Sequence, residues 1–259
     1  MTGLERIAHS LIAAEDERRP LPPLTETEPG FDIDAAYQVQ SLVWQQRLAA
    51  GHRPVGHKVG LTSEAMQRQL GVDQPDFGRL HAGMAVAGEL DLAELIQARI
   101  EPEIAFVLGS NLEGPGVTAD AVLAATSAIA PALEIIDSRI EAWRITLPDT
   151  VADNASSARF AVGPAQPIDG LDLAALEATL LVDGQQVGTG RGDAVLGHPA
   201  AAVAWLANTL AAYGEHLAAG EIVLPGAMCA SVLLQRGATV IGKFDGLGEV
   251  RVSVSGGAS

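Results

Sequence analysis

The chain opens with apolar residues at helical spacing. Leu4, Ile7, Ala8 and Leu11 share one face, and Thr2 with Glu5 can form a capping box ahead of them. The charged run 15–19 and prolines 20, 22 and 23 end that helix. A second helix is predicted over 34–50, with Ala36, Val39, Val43 and Leu48 inward and Gly51 as its stop. From Val55 the pattern changes. Residues 55–61 are glycine-interrupted and strand-like, Ser63 is placed to cap a short helix over 64–70 closed by Gly71, and 73–78 read as a turn or loop. An alternating strand over 99–108, a helix over about 119–129 and a second apolar strand around Glu134 follow. Residues 180–190 predict a hairpin around Asp183-Gly184, and Pro199 fits the first turn of a helix running to Tyr213. Strands at 222–224, 231–234, 239–244 and 249–254 fill the C-terminal third. Strand runs with a few helices between them predict an α+β fold, not a doubly wound sheet.

Three acids break the apolar pattern. Glu101 and Glu103 flank Pro102 inside 99–108, and Glu134 interrupts 131–137. Alternation puts Glu101 and Glu103 on one strand face, roughly 6.5–7 Å apart along the backbone. Solvated acids on a strand face are commonplace, but these interrupt apolar runs instead of decorating a polar face. Buried together they would repel and resist ionisation, which a divalent cation would relieve. An all-oxygen set without nearby Cys or His suits Mg²⁺ or Mn²⁺. Pro102 lacks a ladder donor, so its part of the strand is expected at an edge or a strand start. Asp137 is a further acid, expected off the Glu134 face and paired with Arg139.

Charge narrows the partners. The 259 residues carry 16 basic and 32 acidic side chains, net −16. Such a surface repels phosphate backbones and anionic membranes, so neither nucleic acid nor membrane is expected. One cysteine, Cys229, permits no intrachain disulfide, and no basic segment followed by a long apolar stretch opens the chain. A cytoplasmic location is expected.

Lys58 and Lys243 are the only lysines. Lys58 lies amid glycines and apolar residues, as a tuned cation for a substrate carboxylate or a proton, or as half of a structural ion pair. Asp76, after Pro75, reads locally as a turn former. The small polar run 153–157 can cap a helix or supply hydrogen bonds to a carboxylate. His57 and His198 read as structural, His198-Pro199 as a helix start. Cys229 reads as a small buried hydrophobe.

Four blocks in order carry a resemblance: Gly56-His57-Lys58-Val59-Gly60-Leu61-Thr62-Ser63, Gly71 to Gly78, Ile100-Glu101-Pro102-Glu103-Ile104-Ala105, and Asp149 to Ser157. Together they resemble the hydratase/decarboxylase branch of the fumarylacetoacetate hydrolase superfamily. The resemblance implies a mixed β-roll or barrel with flanking helices over 55–259 as the catalytic domain, and a small helical part over 1–54. It implies Mg²⁺ or Mn²⁺ on Glu101, Glu103 and Glu134, with Lys58 and Asp76 as catalytic residues. Asn154 and Ser156 would bind substrate, and the chain would form a homo-oligomer. The implied reaction is hydration of 2-hydroxypenta-2,4-dienoate, or a longer homologue, to a 4-hydroxy-2-oxo acid in meta-cleavage degradation. Decarboxylation of 4-oxalocrotonate at the same metal site is the alternative. Residues 143–154 and 222–226 resemble the hydratase forms. Cationic groups for a second carboxylate would mark the decarboxylase, with Arg79, Arg159 and Arg191 as candidates.

Overall fold

The computed structural model describes residues 2–63, 67, 72 and 74–256. The proposed helix over 64–70 therefore lies outside the described residues, apart from Gln67. Helix α1 (Gly3–Glu17) begins in the expected capping box, with Ile7, Ala8 and Leu11 buried. After a single turn, α2 (Leu24–Thr27), comes α3 (Ile33–Ala49), capped by the Asp32 carboxylate on the Ala35 N–H. Leu48 is 39 % exposed and not inward. The helical period brings Arg47 inward in its place, where its guanidinium meets Glu15 at 2.6 Å.

Twelve strands follow among the described residues. β1 (Pro54–Gly60), β2 (Asp76–His81), β4 (Arg99–Leu108), β5 (Thr126–Ile136), β6 (Ser157–Val162) and β9 (Ile222–Leu224) form one sheet, in the order β2-β1-β9-β4-β5-β6. The short β10 (Val232–Leu233) adds to β4. The second sheet runs β3-β12-β11-β7-β8, from β3 (Glu89–Asp91), β12 (Gly248–Ser255), β11 (Thr239–Phe244), β7 (Glu177–Val182) and β8 (Gln185–Arg191). β4 and β5 pack against β7, β11 and β12, so the main core lies between the sheets. Phe106, Ile104, Ile129, Leu133, Leu180, Val240 and Val252 belong to it. The result is the expected α+β roll with flanking helices. Asp183 (φ 50°) and Gly184 (φ 80°) make the β7–β8 turn, the left-handed pair that a tight hairpin requires.

Two elements depart from expectation. The helix predicted over 119–129 stops early: α4 is Ala119–Ala125, and β5 starts at Thr126. Alanine favours helix here, but Thr126 to Ile136 pairs along the length of β4, and that tertiary ladder prevails over local propensity. Residues 76–78, read as loop, begin β2, because Asp76 pairs with Gly60 and Gly78 with Lys58. Pro102 is interior to β4 in sequence but locally at an edge. β9 pairs with Phe106 and Val107, β10 with Arg99 and Ile100, and the chain between them leaves the sheet. The missing proline donor therefore costs no ladder bond.

The last two helices are α5 (Leu147–Ala152) and α6 (Pro199–Ala211). Residues 192–211 match a membrane span by length and hydropathy. Their α-helical part is only 13 residues, with Val203, Leu206, Ala207 and Leu210 in the core. The N-terminal helices lie on α5. Gln40 of α3 donates from its amide to the carbonyls of Phe77 (2.8 Å) and Val151 (2.9 Å), tying β2 to α5. Thr25 holds the Asp149 carboxylate through its N–H and its hydroxyl.

Candidate active site

The β4–β5 register sets Glu101 directly opposite Glu134, with Glu103 two residues along the same face. One carboxylate oxygen from each lies within 4.8 Å of the others. Glu103 and Glu134 have no exposed surface, and Glu101 is partly buried. Glu103 Oε1 and both Glu134 oxygens are buried without a hydrogen-bond partner. Burial and then the Glu134 charge push the Glu101 carboxyl up to about 8. Burial, Glu134 and Glu101 raise Glu103 well above the usual carboxylate range. Stacked acids with orphaned oxygens are costly alone and suited to a divalent cation, which all-oxygen donors favour. The donor set fits such an ion.

Lys58 enters from β1. Its Nζ donates to the Ala155 carbonyl at 2.9 Å and lies 3.4 Å from Glu134 Oε2, an ion-pair distance without hydrogen-bond geometry. Burial disfavours this cation. Glu134, Asp76, Glu101 and Glu103 outweigh that and raise its pKa. Asp76, 1 % exposed, accepts from the Thr150 hydroxyl at 3.4 Å, and its Oδ1 has no partner. Burial raises its pKa against the pull of Lys58. A Cβ on Gly60 would lie 2.2 Å from Asp76 Oδ1 and 3.3 Å from Lys58 Nζ, so both side-chain ends crowd a position only glycine leaves open.

Two backbone segments complete the site. The Gly226 N–H donates to Glu103 Oε2 at 2.7 Å. Gly226 has φ 123°, and a Cβ there would lie 2.1 Å from Thr62 Oγ1, so the loop after β9 is locked to the loop after β1. The second segment is the turn 154–156. Its Ser156 hydroxyl lies 3.3 Å from the Thr150 hydroxyl, giving a buried row Asp76–Thr150–Ser156. The Asn154 side chain is engaged elsewhere: Oδ1 accepts from the Arg79 N–H at 2.8 Å and Nδ2 donates to the Arg79 carbonyl at 3.0 Å.

The other singled-out residues lie apart from the carboxylate cluster or serve local structure. Asp137 does not pair directly with Arg139; it accepts from the N–H groups of Ile96 and Gln97, while Arg139 takes Asp153. His57 contacts Glu221 at 3.1 Å, and His198 caps α6 through Nδ1 on the Ala200 N–H. Cys229 is half-buried, and burial with the Glu101 charge pushes its thiol up to about 11, which makes it a poor nucleophile. Sequence reasoning missed Gly60, Thr150, the Ala155 carbonyl and the Gly226 N–H. The glycines were visible in quoted blocks, but their roles depend on contacts between distant segments.

Comparison with known proteins gives the family. The fumarylacetoacetate (FAA) hydrolase C-terminal family matches residues 81–255. The chain is 47% identical over 231 residues to a 2-hydroxyhexa-2,4-dienoate hydratase of Comamonas testosteroni, covering 87% of each. It is 44% identical over 251 residues to a 2-keto-4-pentenoate hydratase of Paraburkholderia xenovorans (strain LB400), covering 95% of this chain and 93% of the relative. Among solved structures, 4-oxalocrotonate decarboxylase from Pseudomonas putida G7, complexed with magnesium and adipate, superposes with a TM-score of 0.94 at 36% identity, covering 97% of each chain. The same decarboxylase complexed with calcium and acetate matches at a TM-score of 0.92. A cluster of buried glutamates on paired strands, a lysine beside it, this fold and these relatives together place the chain in the fumarylacetoacetate hydrolase family.

Proposed function

We propose that this chain is a metal-dependent hydro-lyase that hydrates 2-hydroxypenta-2,4-dienoate, or a longer 2-hydroxy-2,4-dienoate, to the 4-hydroxy-2-oxo acid. The observation that carries the reading is the buried carboxylate cluster with one cation, Lys58, beside it. Glu101, Glu103 and Glu134 would hold Mg²⁺ or Mn²⁺, which supplies Lewis-acid polarisation of the substrate's 2-oxygen. Lys58 anchors the substrate carboxylate or carries the proton that moves from the 2-hydroxyl to C5, forming the 2-oxo-3-enoate. Water then adds, its hydroxyl to C4 and its proton to C3. Asp76 positions that water and takes its proton, and Ser156 hydrogen-bonds the substrate. A cytoplasmic location and a homo-oligomeric assembly are part of the same proposal.

The decarboxylase reading rests on the close structural likeness to 4-oxalocrotonate decarboxylase. That reaction needs cationic groups for a second carboxylate. The Arg79 guanidinium is taken by Gln40 and Glu215, Arg159 by the Ala158 carbonyl and Glu94, and Arg191 by Asp193. Each of the three arginines already holds an acidic partner, with the Arg79 Nε left without one, and this engagement supports hydration over decarboxylation. The test is an ultraviolet assay with fresh 2-hydroxypenta-2,4-dienoate and with oxalocrotonate, each with and without Mg²⁺. Metal-dependent loss of dienol absorbance without CO₂ release supports hydration; CO₂ release from oxalocrotonate as the faster reaction overturns it.

A further inference from the structure

Residues 154–156 form a left-handed turn, with φ of 56°, 52° and 55° at Asn154, Ala155 and Ser156. No glycine is among them, so each residue adopts a conformation that its Cβ disfavours, and the surroundings must hold it. Asn154 does so from one side. Its amide makes a two-point clasp on the main chain of Arg79 in β2. The clasp needs close approach: a Cβ on Gly78 would lie 2.3 Å from the Asn154 carbonyl oxygen. The far end of the turn is tied by the Asp137 N–H, which donates to the Ser156 carbonyl at 2.8 Å. Between these anchors the Ala155 carbonyl points at Lys58 Nζ, 2.9 Å away. β2 is itself braced, because Gln40 holds both the Phe77 carbonyl and the Arg79 guanidinium.

We propose that Asn154 is a positioning residue for Lys58: its clasp on Arg79 holds the left-handed turn, and the turn's Ala155 carbonyl fixes where the Lys58 ammonium sits beside Glu134. The assignment replaces a direct contact of Asn154 with substrate, since both polar ends of its amide are already used. It rests on the reading of Lys58 as a working group of the hydration site.

The experiment is a double-mutant cycle between Asn154→Ala and Lys58→Met, with kcat, KM and Mn²⁺ affinity measured for each, and Asn154→Gly alongside. Glycine accepts the turn's φ values without strain but cannot make the clasp, so it serves if the alanine variant folds poorly. Expected is a kcat loss of about tenfold or more for both Asn154 variants, with KM and Mn²⁺ affinity within about twofold of wild type. In the Lys58→Met background, removing Asn154 should then cost less than about twofold more, because residues acting as a unit are non-additive. A raised KM with unchanged kcat, or losses that multiply across the cycle, would overturn the positioning role. Full activity in both Asn154 variants beside an inactive Lys58→Met would overturn it alone. Wild-type turnover in Lys58→Met would instead remove the reading of Lys58.

Discussion

Glu101 and Glu134 stand directly opposite each other on antiparallel neighbours β4 and β5, so two like charges share one buried face. With the Glu101 carboxyl pushed up to about 8 by burial and by Glu134, protons and metal compete for the same oxygens. The folded metal-free protein holds that proton more tightly than the unfolded chain, where the carboxyl has its ordinary value near 4.5. Its contribution to stability is therefore complete below about pH 4.5 and is lost as pH rises through about 8. In EDTA, the Tm should fall from pH 5 to pH 8.5, and the Tm increase produced by Mg²⁺ should grow over the same range. Differential scanning calorimetry with and without metal measures both. An equal Mg²⁺ effect at both ends would contradict the competition.

The Lys58 ammonium feels the carboxylates of Glu134, Asp76, Glu101 and Glu103. Lys58→Met removes the charge and keeps much of the length. Turnover should drop by about 10²–10⁴-fold, the range for a positioned proton-transfer group. Steady-state kinetics at saturating Mg²⁺ check this, and wild-type kcat and KM would show that the lysine is a structural ion pair.

Two glycines separate metal holding from proton chemistry. Gly226→Ala forces a Cβ to within 2.1 Å of Thr62 Oγ1, so the loop must shift and the N–H donated to Glu103 is lost. Mn²⁺ affinity should weaken by about 10–100-fold, as for other partners of metal ligands. Gly60→Ala drives a Cβ against Asp76 Oδ1 and crowds Lys58 Nζ. It should abolish most turnover while Mn²⁺ affinity changes much less. Calorimetric titration of both variants distinguishes the two effects.

These glycines also show why part of the site was legible and part was not. The three glutamates could be read because charge interrupts an apolar strand, a local signal that period-2 alternation turns into a shared face. The outer helices were legible for the same reason, since the capping box of α1 and the Gly51 stop lie within a few residues of the helices they bound. Asp76 carried the opposite local signal, because Pro75-Asp76 has turn chemistry. Only its pairing with Gly60, sixteen positions earlier, makes it a buried strand residue. The β5 start failed similarly, where an alanine-rich run reads as helix until β4 is beside it. Gly226 and Thr62 meet across 164 positions, and no periodicity encodes that contact.

The arginines bear on the choice between hydration and decarboxylation. Arg159 and Arg191 are paired with Glu94 and Asp193. Arg159→Ala and Arg191→Ala should leave kcat/KM for the dienoate within about twofold, as for ordinary surface substitutions. A selective loss of oxalocrotonate turnover in either variant would place a second carboxylate there and revive the decarboxylase reading.

The central claim is that Glu101, Glu103 and Glu134 together grip one divalent cation. Titration of the metal-free enzyme with Mn²⁺, followed by electron paramagnetic resonance, tests it most directly. One tight ion per chain is expected in the wild type, with affinity reduced by about 10-fold or more in Glu103→Gln and in Glu134→Gln. Unchanged stoichiometry and affinity in both variants would contradict the account.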